Sequence, residues 1–350
     1  ELKMAGSITN FTTTRKNLPA ALELVFDVMH NSIMPQDEFD QFKKQMQVMI
    51  ESMRDKPDAL AQNAITQHFN TYPKGDPRHE YSLDESLEQL NRLTVDQVRA
   101  FYKEFGGTSR GEISIVGDFD PKAVEKIIRD DYAKYVSKAH YAPVVTEYRP
   151  VKATRVVIDT PDKENATIVA RSVFPINDTS PDAPALTVAN WILGGGTGLS
   201  NRLIERLRQK EGLSYGAGSH VRIPAKGNNG IFVFRAIVAP QNMLQAEASA
   251  RDVIAKAIKD GFTDQEVEEA KKGLLQAMQV ARSQDDVVAR SWNDKMENQR
   301  TWVFSKKQAE AISKLTTADV NAALRKYIKP DEITFVLAGD QKKAAQKKQD

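Results

Sequence analysis

The chain repeats itself. Leu93-Thr94-Val95-Asp96-Gln97-Val98 returns 222 residues later as Leu315-Thr316-Thr317-Ala318-Asp319-Val320, and at the same offset Ile115-Val116-Gly117-Asp118 falls on Leu337-Ala338-Gly339-Asp340. Further upstream, at an offset of 228, Glu38, Lys43, Lys44, Arg54 and Asp58 fall on Glu266, Lys271, Lys272, Arg282 and Asp286, and Asn17-Leu18 corresponds to Asn242-Met243. Each match alone is the kind that common helix residues make by chance. Ordered agreement over more than 100 residues points to one module used twice. The second copy begins near Lys152, which puts the start of the first some 70 residues before Glu1. The expected organisation is therefore a first module over 1–135 that lacks its opening strands and helix, a linker over 136–152 holding Pro143 and Pro150, a complete module over 153–341, and a basic tail over 342–350. On this reading the chain is the C-terminal part of a longer protein. Its first residues, Glu1-Leu2-Lys3-Met4-Ala5-Gly6, have neither an initiator Met nor the apolar stretch of a signal peptide.

Local patterns fill in the modules. Leu18, Leu22, Val25, Phe26 and Met29 recur at helical spacing, with Pro19 suited to a first turn. Further helices are expected at about 37–54, 58–70, 94–104 and 121–130, with a short buried strand at Glu112–Val116 and a Pro/Gly loop at Thr71–Arg78. In the second module, strands are expected at 155–158, 167–174, 215–222, 231–238 and 333–337. Helices are expected at about 184–193, 199–212, 241–259, 264–282, 285–298 and 317–327, the one from Asp264 opened by the capping box Thr263-x-x-Glu266.

Composition narrows the function classes. An apolar fraction of 41% and a charged fraction of 27% describe an ordinary globular protein. Lys plus Arg number 49 against 47 Asp plus Glu, a net charge of +2, which offers no bulk attraction for nucleic acid or an anionic membrane. No run reaches the roughly 20 apolar residues of a membrane span. Cysteine is absent, which removes disulfides, a thiol nucleophile and thiolate metal sites together and leaves the compartment open.

Most candidate chemistry dissolves on inspection. The histidines, His30, His68, His79, His140 and His220, include no pair at i, i+4, so no helix presents a paired-imidazole zinc face. Gly194-Gly195-Gly196-Thr197-Gly198 lacks the Gly-Lys-Ser/Thr of a phosphate loop and follows a helical pattern, so a tight helix–helix turn is expected. Asp130-Asp131 and Asp285-Asp286 fall on exposed helical faces. One constellation stands out, Arg208-Gln209-Lys210-Glu211-Gly212-Leu213-Ser214-Tyr215-Gly216. A helix ends at Gly212 and a strand begins near Tyr215, so Arg208 and Tyr215 offer two donors on apolar stems, suited to a peptide carbonyl or a developing oxyanion. A helix-end cation and a packing tyrosine fit the same residues.

The stretch Gly194-Gly195-Gly196…Ser200-x-Arg202-Leu203…Leu207-Arg208-x-x-x-Gly212-Leu213-Ser214-Tyr215 resembles the C-terminal-half signature of the pitrilysin, insulinase and mitochondrial-processing-peptidase (M16) group of metallopeptidases. Tyr72-Pro73-x-Gly75-Asp76-Pro77, Val116-Gly117-Asp118-Phe119-Asp120 and Leu337-Ala338-Gly339-Asp340 are similar to that family as well. The resemblance implies an α+β fold of repeated modules, each a mostly antiparallel sheet with helices packed on one side. It implies that one half of the parent protein holds zinc through His-x-x-Glu-His and a distant Glu. The other half, this one, would supply Arg208 and Tyr215 to a peptide substrate. No zinc would be bound here: the corresponding helix reads Leu186-Thr187-Val188-Ala189-Asn190-Trp191-Ile192-Leu193, and Glu51 alone cannot hold a metal. The implied partners are a peptide and the upstream half, in the same chain or as a separate subunit; a bacterial member would work in the periplasm or the cytoplasm. The alternative is a non-catalytic scaffold or core subunit of the same fold, and an upstream His-x-x-Glu-His would decide between them.

Overall fold

The computed structural model describes residues 2–5, 8–196 and 201–346, with the side chains of 10–196 and 201–346. Two compact units are present. One comprises residues 1–46, 89–143 and 279–302; the other comprises 47–88, 144–278 and 303–350.

The larger unit is built on a mixed sheet of five strands: β3 (Arg155–Asp159), β4 (Ala166–Pro175), β5 (Ser214–Arg222), β6 (Asn229–Val238) and β7 (Thr334–Gly339). Their order is β3-β7-β4-β6-β5, with β3 and β7 parallel and the other neighbours antiparallel. Helices α7 (Ala183–Asn190), α9 (Met243–Asp260), α10 (Asp264–Ala281) and α13 (Thr317–Tyr327) supply side chains to one face. There Ile168, Phe232, Phe234, Phe335 and Leu337 are fully or almost fully buried. Helix α3 (Pro57–His68) covers part of the opposite face, placing Ala61 and Ile65 against Val169, Val336 and Ala338. Strand β4 is thus buried on both sides, which is why its sequence runs apolar without the alternation of a half-exposed strand. At the far edge, the Arg155 and Arg251 guanidiniums close on the buried Glu247 carboxylate at 2.7 and 2.9 Å, tying β3 to α9.

The smaller unit holds a hairpin of β1 (Leu2–Ala5) and β2 (Ile8–Phe11), with α1 (Leu18–His30), α5 (Val95–Phe105), α6 (Pro121–Asp130) and α11 (Asp285–Glu297). Leu18, Leu22 and Val124 are its buried centre. Helix α2 (Gln36–Met53) contributes its first part to this unit and its last turns to the larger one. The strand expected at Glu112–Val116 does not form; the backbone there makes no ladder. Its repeat counterpart β7 lies between two partner strands, whereas the strands described in this unit pair only with each other.

Three helices escaped the sequence reading: α4 (Leu83–Arg92), α12 (Trp302–Lys314) and a last one over 341–346, where a basic tail from 342 was expected. The first carries a legible start signal: Glu85 accepts from the Ser82 amide at 2.9 Å while its own amide reaches the Ser82 hydroxyl at 3.2 Å. The helix expected over 199–212 is shorter and irregular. It consists of α8 (Arg202–Ile204) and a π-helical turn, Glu205–Lys210, while Leu199 lies outside the described residues. The last helix, α14, spans Gln341–Gln346.

The duplication is visible in backbone detail. Thr94 with Gln97 and Thr316 with Asp319 close the same reciprocal capping box at the starts of α5 and α13. Asn17 and Asn242, which precede α1 and α9, have φ/ψ of −92/−9 and −94/−7.

Candidate functional site

The site candidates sit where the π-helical turn meets β5. Leu203 and Leu207 are fully buried and pin this stretch to the core. The turn closes with Leu213 N–H donating to the Leu207 carbonyl at 2.8 Å and Gly212 at φ +60°, in the left-handed region that glycine enters without strain. Each other cation of the turn has a carboxylate. Arg206 pairs with Glu211, and Lys210 with Glu205 at 2.8 Å. Arg208 is exposed and has no hydrogen-bond or ion-pair partner among the described residues.

Tyr215 stands out of the sheet because of a bulge. Ser214 is opposite Val238 and Gly216 opposite Ile237, so Tyr215 is the extra residue. The Ser214 hydroxyl stabilises the bulge, accepting from the Gly216 amide at 3.1 Å and lying 2.8 and 2.9 Å from the Gly216 and Ile237 carbonyls. Regular alternation would send Tyr215 to the helix-covered face beside Ala217. The bulge leaves it 69% exposed instead, with no partner for its hydroxyl among the described residues. Beside it, on the sheet face that α3 leaves open, runs a shallow trough lined by Gly216, Gly218 and His220 of β5 and Val233, Arg235 and Ile237 of β6. A Cβ at Gly216 would meet nothing within 4 Å, so a ligand backbone can come close there.

The remaining candidates have structural places. Gly194 ends up against Ser219, where a Cβ would stand 2.6 Å from the Ser219 amide nitrogen. The glycine run begins in a π-helical turn, Trp191–Gly195, packed on β5; Thr197 and Gly198, on which the expected helix–helix turn falls, lie outside the described residues. Asp130 pairs with Lys126, Asp286 with Arg290 and Glu51 with Arg54. His68 bonds the Lys152 carbonyl at 2.9 Å and His79 the Tyr72 carbonyl at 2.8 Å. Among the described residues, no three His, Asp or Glu side chains come together as a metal site. The helix where zinc ligands would be expected buries Leu186, Val188, Ala189, Ile192 and Leu193 in the core and so presents no zinc ligand of its own.

Sequence reasoning missed a second concavity, of about 320 Å³, at the other end of β5. It lies beneath the loop that carries Tyr72-Pro73-x-Gly75-Asp76-Pro77 and is lined by Arg78, Arg149, Arg171 and Arg222. Arg78 and Arg149 lie over the Tyr72 ring, 4.2 and 4.3 Å from its centre. Arg78 also grips Asp76 with two bonds, of 2.8 and 2.7 Å, which together with the Arg78 amide hold the Asp76 carboxyl down at about 2. Burial first, and repulsion by Arg222 second, push the Arg171 guanidinium down to about 10, against a weaker pull from Glu80. The four arginines are spread over more than 140 residues, so only the proline loop could have hinted at the cavity.

Residues 92–274, more than half of the chain, match the family model described as the peptidase M16 inactive domain. An uncharacterized zinc protease of Mycobacterium tuberculosis is 25% identical over 261 residues, 74% of this chain and 57% of that protein. A non-peptidase homolog of Helicobacter pylori is 23% identical over 185 residues, 52% of this chain and 41% of that one. The crystal structure of a peptidase M16 inactive domain from Pseudomonas fluorescens superposes with a TM-score of 0.78 at 22% identity, covering 93% of this chain and 75% of that one. The chain thus spans little more than half the length of the curated zinc protease it matches. An α+β module with a mostly antiparallel sheet, a buried apolar helix where metal ligands would stand, and a family model over more than half the residues lead to one assignment: the chain belongs to the peptidase M16 inactive-domain family.

Proposed function

We propose that this chain is the zinc-free, substrate-binding part of an M16-type metalloendopeptidase. An extended peptide lies in the trough beside β5, and Arg208 and Tyr215 donate hydrogen bonds to its carbonyls near the bond to be cut. The observation that carries this reading is Tyr215, a large phenol turned out of the sheet by a bulge and left without a partner among the described residues, on a backbone anchored by buried neighbours. Exposing a tyrosine so fully forfeits its packing, and a phenol held on rigid backbone suits ligand contact. Arg208 supports it as a cation with no ion-pair partner among the described residues, beside Arg206 and Lys210, both of which are paired. Zinc and the base that activates water belong, on this reading, to an upstream half. The module boundaries at 1–135 and 153–341 are part of the same proposal.

A second reading, a scaffold or core subunit, draws on the Helicobacter pylori relative named as a non-peptidase homolog. The two separate on mixing. If this chain added to the zinc-bearing half raises peptide cleavage and Tyr215→Phe weakens that effect, the substrate-binding role stands. Cleavage that is indifferent to the chain, or an upstream half without His-x-x-Glu-His, assigns the scaffold.

A further inference from the structure

The arginine-lined cavity has more positive charge than its own carboxylates absorb. Arg78 is engaged by Asp76, and Arg149 is 2.9 Å from the Thr71 carbonyl. Arg171 and Arg222 form no ion pair among the described residues, although Glu80 attracts Arg171 from a distance. The Arg171 Nε is buried without an acceptor, and Oδ1 of the buried Asn229 lacks a donor. Turning that amide about its last bond would aim two N–H donors at the same place. Glu80 and Glu147 also line the cavity, both exposed, so the wall retains a surplus of donors at its depth. Unsatisfied buried donors are costly unless a ligand meets them.

Register connects this cavity to the trough. Arg222 is opposite Ile231, which is opposite Val173, while His220, Val233 and Arg171 form the neighbouring row. Gly216, Gly218, His220 and Arg222 follow one another on one face of β5, so the trough that starts beside Tyr215 runs into the arginines. Seven steps along a strand, from Tyr215 to Arg222, cover about 23 Å. A volume of about 320 Å³ holds one terminal residue rather than a folded segment.

We propose that the cavity beneath the Tyr72 loop is an anion site that receives a carboxylate of a peptide lying along β5, about seven residues from the one at Tyr215. The proposal rests on the peptide-binding reading above. Arg171 and Arg222 would hold the carboxylate by charge-assisted bonds, and Asn229 would supply a third donor.

The test uses this chain and three fluorescent peptides with one neutral extended body. The first ends in a free carboxylate, the second in an amide, and the third in an amidated Glu. At low salt the free acid is expected to bind at least about tenfold more tightly than the amide, as charge-assisted pairing in a partly buried site implies. Arg222→Gln, at an exposed position, should bring the acid down to the amide's affinity without changing the melting curve; Arg171→Gln should do the same. Tyr215→Phe should weaken all three peptides alike. If the Glu amide matches the free acid, a side-chain carboxylate suffices; if only the free acid gains, the site reads the chain terminus; either supports the proposal. Equal affinity for acid and amide overturns the anion site and leaves peptide binding standing. No binding of any of the three overturns both.

Discussion

The Lys271 ammonium donates to the Leu315 carbonyl at 2.8 Å, just past the end of α12. In the other unit Lys43 donates to the Leu93 carbonyl at 2.9 Å, just past the end of α4. The two lysines are 228 residues apart and the two leucines 222, so the same bond recurs across the duplication although the intervening loops differ by six residues. A carbonyl that follows a helix end has lost its place in the helix ladder and needs a donor. The recurrence explains why both lysines match in the repeat.

Lys271 is 8% exposed, and Lys43 is only partly buried. Lys271→Met therefore leaves the Leu315 carbonyl unsatisfied in a drier place. We expect it to cost about 1–3 kcal/mol, the range for leaving a buried acceptor unsatisfied, and Lys43→Met to cost less. Urea unfolding of the two variants measures the difference; equal costs would mean that burial does not set the strength of this bond.

The Tyr72 loop should open in acid. Asp76 is held at about 2 by Arg78, and Glu85 at about 2 by Lys74 and the Ser82 amide. Both carboxyls lie below their ordinary values, so their contribution is fully present above about pH 4.5 and is lost as pH falls through about 2. The double variant Asp76→Asn/Glu85→Gln should melt with a flatter pH dependence than the wild type between about pH 4.5 and 2. Parallel curves would show that neither pair stabilises the fold.

Much of the fold was legible because helix starts are local events. Thr263 announces a cap three residues before Glu266 and closes it as expected, and the structure adds the same box at Thr94 with Gln97 and at Thr316 with Asp319. Ser82 with Glu85 carries the same signal at the start of α4, so that helix too is encoded locally. Residues 112–116 failed for a different reason. Their apolar run suits a strand, but a strand also needs a neighbour, and local pattern cannot supply one. The site divides in the same way. Arg208 and Tyr215 could be singled out from spacing and resemblance, whereas the bulge that exposes Tyr215 depends on how Ser214 bonds across to Ile237. The arginine cavity draws on β4, β5 and two loops, and no short stretch of sequence carries it.

The isolated chain should hold no stoichiometric zinc and cleave no peptide. Among the described residues its histidines are engaged singly, His68 and His79 on backbone carbonyls and His30 on the Asn31 side chain, and the helix that would carry ligands is packed into the core. A zinc site needs about four donors in a tetrahedron. Elemental analysis of dialysed protein, run beside a quenched-fluorescent peptide assay, checks both points. About one zinc per chain, or chelator-sensitive cleavage, would contradict them.

The last prediction concerns Arg208 and Tyr215 in the protein that includes the zinc-bearing half. Tyr215→Phe removes one hydroxyl and keeps the ring, and that hydroxyl has no partner among the described residues to lose. Folding and zinc content should therefore be unchanged. Loss of one oxyanion donor costs roughly 10²–10³ in turnover, and a donor as exposed as this one should fall at or below the lower end. Arg208→Lys keeps the charge but loses the planar fork, so it should be impaired too, with a smaller loss than Arg208→Ala. A helix-end cation and a packing tyrosine make a different forecast. Tyr215→Phe would then leave the kinetics untouched, and Arg208→Ala would cost a few tenths of a kcal/mol in stability alone. Steady-state kinetics of the variants, read beside their melting curves, separate the two. Wild-type turnover in Tyr215→Phe would end the claim that this pair serves catalysis.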